Sequence, residues 1–424
     1  MNIQSLQRSP VESALVRQFD KQNATPSRRA AFERFQALGL PSRRIESWHY
    51  TDLRASMTEV PPPAAAPDRA TLEAAEALLA KRSRVGLGRI VFVNGHHVGA
   101  LSDKLPVRVA ASKDEPLPAR ADDAMLALNQ AMTAETYRLT IPVATEIDGT
   151  IEIVHVAVLD GPSALYSRVT IAAEAKTRLS VLETFVGGLP NMQRNAATLL
   201  TLGDEARIKH LVSVEDDVGL HIESLVGRLG AGAELNDFAL VAGGALTRRQ
   251  LFLALTGEDA KVSLGGLSLI DGARRADTTL QVTHAAPRGT SREFYRSIVD
   301  NDGVGIFQGK IIVEKPAQKT DGAMKSQAVL LSPSAQMNAK PELEIFADDV
   351  VCGHGATIAA LDPEQLFYLQ ARGIPRREGE TILLEAFGEE AIARVEDETL
   401  VELLRAGFQK WLHTRRGAEA ESRS

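Results

Sequence analysis

Three hydrophobic patterns divide the chain. Up to about residue 140, apolar positions recur at helical spacing. Phe32, Phe35 and Leu38 follow a capping Thr25 and a first-turn Pro26, with Gly39 as the stop, so residues 10–40 read as helix. Similar spacing predicts helices over Arg69 to Lys81 and Asp122 to Thr133. Between them lie a semi-rigid Pro/Ala connector, Pro61 to Pro67, and the apolar run Ile90 to Val93. That run meets an Asn94-Gly95 turn followed by His96 and His97. From about Ile141 to Val351 the period falls to two, in short β-rich runs broken by Gly, Asp and Ala. After Thr357 it is helical again. Asp362 caps, Pro363 takes the first turn and Gly373 stops a first helix. Two more helices are predicted over about Glu378 to Phe387 and Glu398 to His413, before a polar tail from Arg415 to Ser424. These shifts set three regions: a largely helical 1–140, a β core 141–355 and a helical 356–424.

The β region carries a faint repeat. Ala206-x-Ile208, Ala233-x-Leu235 and Ala260-x-Val262 recur at intervals of 27 residues, each behind a Gly-containing turn. Periods of about 20 to 50 residues point to a solenoid whose rungs bury their apolar faces on one another. A plain meander remains compatible with three copies.

Composition narrows the class. The 424 residues, 44% hydrophobic and 24% charged, describe a globular chain with a large core. Aromatics at 5% leave that core to Leu, Val, Ile and Ala. A net charge of −7 gives no reason to expect nucleic acid or an anionic membrane as a partner. No apolar run approaches the roughly 20 residues that cross a bilayer, and no apolar signal segment opens the sequence, so a reducing cytoplasm is the expected compartment.

The single cysteine, Cys352, rules out an internal disulfide and a self-contained four-cysteine cluster. His354 stands two residues on. If Leu343 to His354 is one strand, Glu344, Phe346, Asp348, Val350, Cys352 and His354 share a face, and Gly353 and Gly355 let the strand end sharply. At a separation of about 7 Å along that face, thiolate and imidazole suit a shared soft-metal site better than a nucleophile and its base. An inert cysteine beside a turn histidine stays open as a third reading. Asp348 and Asp349 are adjacent, face opposite ways on a strand and cannot pair as the carboxylates of a glycan-cleaving enzyme. His155, His210, His221 and His284 sit singly in β-rich runs and receive no role.

Several stretches carry a family resemblance. Pro341 to Ile374 holds ADDV-C-x-HGAT followed by FYLxxRGI. Thr283 to Gly322 holds a frame of His284, Ser291, Phe307-x-Gly309, Val313 and Ala317-Gln318-Lys319-Thr320. Gly39 to Arg54 holds a frame of Pro41, Arg44, Glu46, Trp48, Tyr50, Thr51 and Leu53. Together they resemble the SufB/SufD family of SUF iron–sulfur cluster assembly subunits, and within it the SufD type. Gly353, Ala359 and Ala371 depart from the usual serine, glycine and serine.

That resemblance implies a right-handed parallel β-helix flanked by helical regions. It also implies a non-enzymatic scaffold subunit working with a SufB-like β-helix partner and a SufC-like ABC-type ATPase, with a homodimer as an alternative state in isolation. Cys352 and His354 take over the family's Cys-x-His at the SufB interface. The implied cofactor is an iron–sulfur cluster held transiently in the complex; a reduced flavin is a second candidate that no residue pattern here specifies. The apolar stripe Leu400, Leu403, Leu404, Phe408 and Trp411 is assigned to partner binding in the ATPase-docking region. A purely structural scaffold and a β-helix carbohydrate-active enzyme are the competing readings.

Overall fold

The computed structural model describes residues 9–112, 115–118 and 121–421. Residues 10–40 form two helices rather than one, α1 (Pro10–Phe19) and α2 (Pro26–Leu38). Ser9 and Glu12 make a reciprocal cap on α1, and Thr25 caps a new start at Pro26. Gly39 closes α2 at φ 70°, a left-handed value that favours glycine. Next come α3 (Leu53–Ser56), α4 (Arg69–Ala80), β1 (Gly88–Val93), β2 (His96–His97), β3 (Arg108–Ser112) and α5 (Ala124–Met132).

Sixteen strands then follow without an intervening helix. The first are β4 (Thr136–Ile141), β5 (Glu146–Ala157), β6 (Ala164–Ala173), β7 (Arg178–Gly187) and β8 (Gln193–Leu202). Then come β9 (Arg207–Val214), β10 (Leu220–Leu229), β11 (Glu234–Val241), β12 (Leu246–Leu255), β13 (Lys261–Ile270) and β14 (Arg275–His284). The series ends with β15 (Thr290–Val299), β16 (Val304–Val313), β17 (Asp321–Leu330), β18 (Gln336–Ile345) and β19 (Val351–Ala359). Helices α6 (Pro363–Ala371), α7 (Arg376–Ile392) and α8 (Glu398–Glu421) close the chain. The last helix thus runs on through much of the stretch expected as a tail; residues 422–424 lie outside the described ones.

Odd-numbered strands from β5 to β19 pair in parallel in one sheet and even-numbered strands from β4 to β18 in another, so each turn of chain lays one strand on each: a parallel β-helix. The 27-residue repeat is real, since Glu234 pairs with Arg207 on one side and Lys261 on the other. Elsewhere the turn length drifts, from 26 residues (Leu220 to Leu246) to 32 (Val304 to Gln336). Ala206, Ala233 and Ala260 are wholly buried at equivalent corners. The residue before each, Glu205, Gly232 and Asp259, has φ near 60°, as do Lys176, Arg288 and Lys319 at matching corners.

Leu, Ile and Val from both sheets fill the interior. Helices α1, α2 and α5 cover the outer face of the even-strand sheet over Leu220, Ile222 and Leu246. Helices α7 and α8 cover the odd-strand sheet over Leu211, Phe238, Leu267 and Ile298. The Gly39–Arg54 segment is a clip across the even strands. Trp48 is buried, donates Nε1–H to Asp123 Oδ2 (2.9 Å), and lies 3.7 Å beneath the Arg248 guanidinium. Thr51 donates to Asp277, and Lys340 of β18 reaches Glu46 (2.8 Å). The sheets extend past residues 141 and 355, because β1 and β3 pair onto β5 and β4 and β19 continues to Ala359.

Candidate functional site

The two ends of the solenoid differ. At the N-terminal end β2 and β3 run antiparallel to their neighbours and close the sheets. At the other end β18 and β19 are the outermost strands, ten and nine residues long, each paired on one side only. Their free backbone edges lie beside exposed Ile345, Phe346 (63%), Val351 (73%) and Ile358. An open strand edge with exposed apolar side chains beside it is a template for another strand; β19 carries Val351 and Ile358, whereas β18 is more polar, with Lys340, Pro341, Glu342 and Glu344.

Cys352 and His354 both lie on β19, at that edge. The strand expected over Leu343 to His354 is broken: β18 ends at Ile345, residues 346–350 turn the corner, and β19 starts in the opposite sheet. Glu344 and Phe346 therefore share no strand face with the cysteine. Ala347 and Val350 pack into the core through that turn, and Lys319 holds Asp349 both through its backbone and by an ion pair at 2.9 Å. Gly353 and Gly355 do not end the strand; their outward positions are open space.

Register fixes where the pair points. Cys352 aligns with Gly322 and Ser291, and His354 with Met324 and Glu293. Partners in a parallel ladder share a face, and Met324 belongs to the solenoid core. Cys352 and His354 therefore face inward at the mouth of the open end, the cysteine half-buried against the core and the histidine exposed. Burial pushes the Cys352 thiol up; the Gly322 amide pulls it down and Asp321 raises it further. This environment favours the protonated thiol. Among the described residues no three His, Cys, Asp or Glu side chains are gathered to hold a metal ion, and Cys352 and His354 contribute two donors of different softness.

The stripe assigned to partner binding lies elsewhere. Leu400, Leu404, Phe408 and Trp411 are buried against the chain's own odd-strand sheet and Leu403 is half-buried, so α8 spends its apolar face on the solenoid. The apolar residues left exposed on this region are Phe367 (71%) and Tyr368 (57%) on α6 and Ile382 on α7.

The solenoid also holds charges that sequence reasoning left unassigned. His155 Nε2 donates to Glu183 Oε1 (2.8 Å), His210 bridges Glu183 and Asp237 (3.3 and 2.8 Å), and Arg249 joins Asp237 to Glu223. His221 donates to Asp216, which also takes Arg194. All are buried. Burial lowers His210, but its two carboxylates outweigh that and raise it to about 9. Burial raises Glu183, and the hydrogen bonds from His155 and His210 reverse that and hold it low. This ladder ties consecutive rungs together, although His155 Nδ1, Glu223 Oε1, His221 Nε2 and Arg194 Nη2 have no hydrogen-bond partner among the described residues. The signal available in the sequence was polar residues at inward, period-2 positions such as Glu183, His210 and Asp237.

The architecture is thus a parallel β-helix with one capped end and one open end, and a thiol and an imidazole stand at the open mouth. Residues 156–387 match the family model described as SUF system FeS cluster assembly, SufBD core domain. The chain belongs to that SufB/SufD family of iron–sulfur cluster assembly proteins. It is 28% identical to the iron–sulfur cluster assembly protein SufD of Escherichia coli, over 89% of this chain and 90% of that one. It is 26% identical to an iron–sulfur cluster assembly SufBD family protein of Synechocystis, over 91% and 90%. It is 31% identical to the chloroplastic protein ABCI7 of Arabidopsis thaliana, over 54% and 49%. The chain is SufD-like and its role is in iron–sulfur cluster assembly. No helix among the described residues is long and apolar enough to cross a membrane.

Proposed function

We propose that this chain is the SufD-like half of a scaffold in which a SufB-like β-helix extends the open edges of β18 and β19. The cluster is cargo, built transiently at the junction. Cys352 and His354 lend it a thiolate and an imidazole from the inward face of β19, and the partner supplies the remaining donors. The observation that supports this reading is their place on the terminal strand, whose outer edge is unpaired, so that an added strand would lie next to them.

In the same reading a SufC-like ATPase docks on the C-terminal helical region through Phe367, Tyr368 and Ile382, because the α8 stripe is already covered. The chain itself is non-catalytic and cytoplasmic. Two copies pairing through the same edges give the homodimer expected in isolation.

The test is anaerobic cluster reconstitution in the assembled complex with Cys352→Ser, His354→Ala and the double variant. Complex assembly should persist and cluster yield should fall, furthest in the double variant. Wild-type yield from the double variant in a normally assembled complex would leave the purely structural scaffold as the better reading.

A further inference from the structure

The capped end of the solenoid carries a cleft of about 750 Å³. It lies where the end of α1 and the start of α2 meet the end of α5, the Pro-rich connector and the β1–β2 turn, and it contains neither Cys352 nor His354. Its walls are tied in place. Ala164 donates its amide to the Pro62 carbonyl (2.8 Å) and Ala64 donates to the Ala164 carbonyl (2.9 Å). Gln18 holds the connector by the Val60 and Pro61 carbonyls, and the His96 ring lies 3.0 Å from the Ala64 oxygen.

One cation on the cleft wall is buried and has no anion. Arg28 Nε donates to the Ala131 carbonyl (2.7 Å), and Nη2 donates to the Met132 carbonyl (3.4 Å) and to Gln22 Oε1. All three acceptors are neutral. Burial lowers the guanidinium pKa and no carboxylate offsets it. Among the described residues Arg28 Nη1 has no partner, and it keeps solvent access. Lys21, exposed on the same cleft, has no ion pair among them either. Glu135, the one carboxylate on the described wall, accepts from Tyr137 O–H (2.9 Å). A buried charge without a counter-charge is costly to keep, and here it borders a concave site.

The nitrogens left over select the anion. Both forks of a guanidinium use Nη2, whose two hydrogens are taken, so a carboxylate cannot be gripped in the bidentate manner. Arg28 Nη1 and Lys21 Nζ remain as separate donors, which suits a group with three terminal oxygens. The cleft also has an aromatic wall: His97 and Tyr137, with ring centroids 4.3 Å apart, and His96 and Tyr166, all half-buried. Such rings offer a stacking surface to a planar ligand.

We propose that this cleft binds a phosphate monoester of a planar aromatic compound, of the size of a nucleoside monophosphate. Arg28 and Lys21 take the phosphate, and the wall of Tyr137 and His97 takes the ring. The site is separate from the open mouth and does not depend on cluster assembly.

Calorimetric titration of the full-length protein tests this with AMP and phenyl phosphate as probes, against adenosine and inorganic phosphate. Both esters should bind, and adenosine and inorganic phosphate should each bind about tenfold more weakly or less. Arg28→Gln should weaken the esters by about tenfold or more. Lys21→Glu reverses an exposed charge, so it should weaken them too while leaving the melting temperature within about a degree or two of wild type. It therefore keeps the test decisive if Arg28→Gln unfolds. Failure of both esters to bind at millimolar concentration overturns the proposal. Inorganic phosphate binding as tightly as the esters shows an adventitious ion only, and adenosine binding as tightly shows that no anion is read; either overturns it. Unchanged ester affinity in a folded Arg28→Gln, or in Lys21→Glu if Arg28→Gln does not fold, overturns it as well.

Discussion

Glu293 and His354 occupy the same inward column of the odd-strand sheet, two rungs apart, with Met324 between them. The histidine is at the open mouth; the carboxyl group is sealed beneath it, and neither of its oxygens has a hydrogen-bond partner. Burial without a partner pushes the Glu293 carboxyl well above its ordinary 4.5, so the folded chain keeps it protonated. The unfolded chain releases that proton above about pH 4.5, so the folded state loses stability as pH rises from there towards the folded pKa. Glu293→Met, similar in length and apolar, should gain about 1–3 kcal/mol at pH 8 and less at pH 4. Urea denaturation at the two pH values measures this. An equal midpoint for variant and wild type at pH 8 would show that the carboxyl is not strained.

His284 is the opposite case on the acid side. Burial holds its imidazole down to about 4, so it is neutral in the fold. The unfolded imidazole takes up a proton below about 6.5, and stability therefore falls as pH drops from 6.5 towards 4, by about 3 kcal/mol in all. His284→Gln keeps a donor for Ser291 and does not titrate. Its stability relative to wild type should rise through that window in pH-dependent thermal denaturation; a parallel course of the two curves counts against the neutral histidine.

The clip around Trp48 gives a prediction about the N-terminal segment. Trp48 sits between Asp123 and Arg248, and Arg248 is itself buried and paired with Asp277. Trp48→Ala removes a fully buried indole and uncovers a buried guanidinium, so it should cost about 3–5 kcal/mol. Lys340→Ala removes a largely exposed pair with Glu46 and should cost under about 1 kcal/mol. Chemical denaturation of the two variants compares them directly.

These cases show which parts of the chain its sequence discloses. The strand period and the 27-residue spacing of Ala206, Ala233 and Ala260 expose the solenoid, because those three corners share one turn length. The remaining rungs were hidden by insertions that stretch the turn to as much as 32 residues. Glycine, the usual marker of a left-handed corner, fills only position 232 among the six matching corners, and Lys176, Glu205, Asp259, Arg288 and Lys319 adopt that conformation without it. Cys352 and His354 could be found as a pair, since chemistry and family motif coincide there. Their setting could not, because the corner at residues 346–350 moves them to the opposite sheet from Glu344. A stripe such as Leu400, Leu404 and Phe408 looks the same in sequence whether it meets a partner or the chain's own sheet; only Phe238 and Leu240 packed beneath it decide.

The open edge predicts how association can be broken without unfolding. Val351 and Ile358 are exposed on β19 and add little to the core. A lysine on an edge strand opposes addition of a further strand. Val351→Lys and Ile358→Lys should therefore leave the melting temperature within about a degree or two of wild type, as for most surface substitutions. They should abolish retention of a SufB-like partner, and self-association with it, in size-exclusion chromatography with light scattering. Retention of the partner by the double variant would place the contact elsewhere.

The C-terminal helices separate docking from folding. Phe367, Tyr368 and Ile382 face solvent, so Phe367→Asp with Ile382→Lys should leave the helical content and melting temperature nearly unchanged. Leu404 is fully buried between α8 and the solenoid, so Leu404→Asp places an unpaired charge in an apolar contact and should detach the helix, at a cost of about 3 kcal/mol or more. If the ATPase docks on the exposed surface, the first variant loses it in a pull-down while staying folded. The second loses it only together with protection of α8 from proteolysis. Capture of the ATPase at wild-type levels by the folded Phe367→Asp, Ile382→Lys variant would move its docking site off α6 and α7.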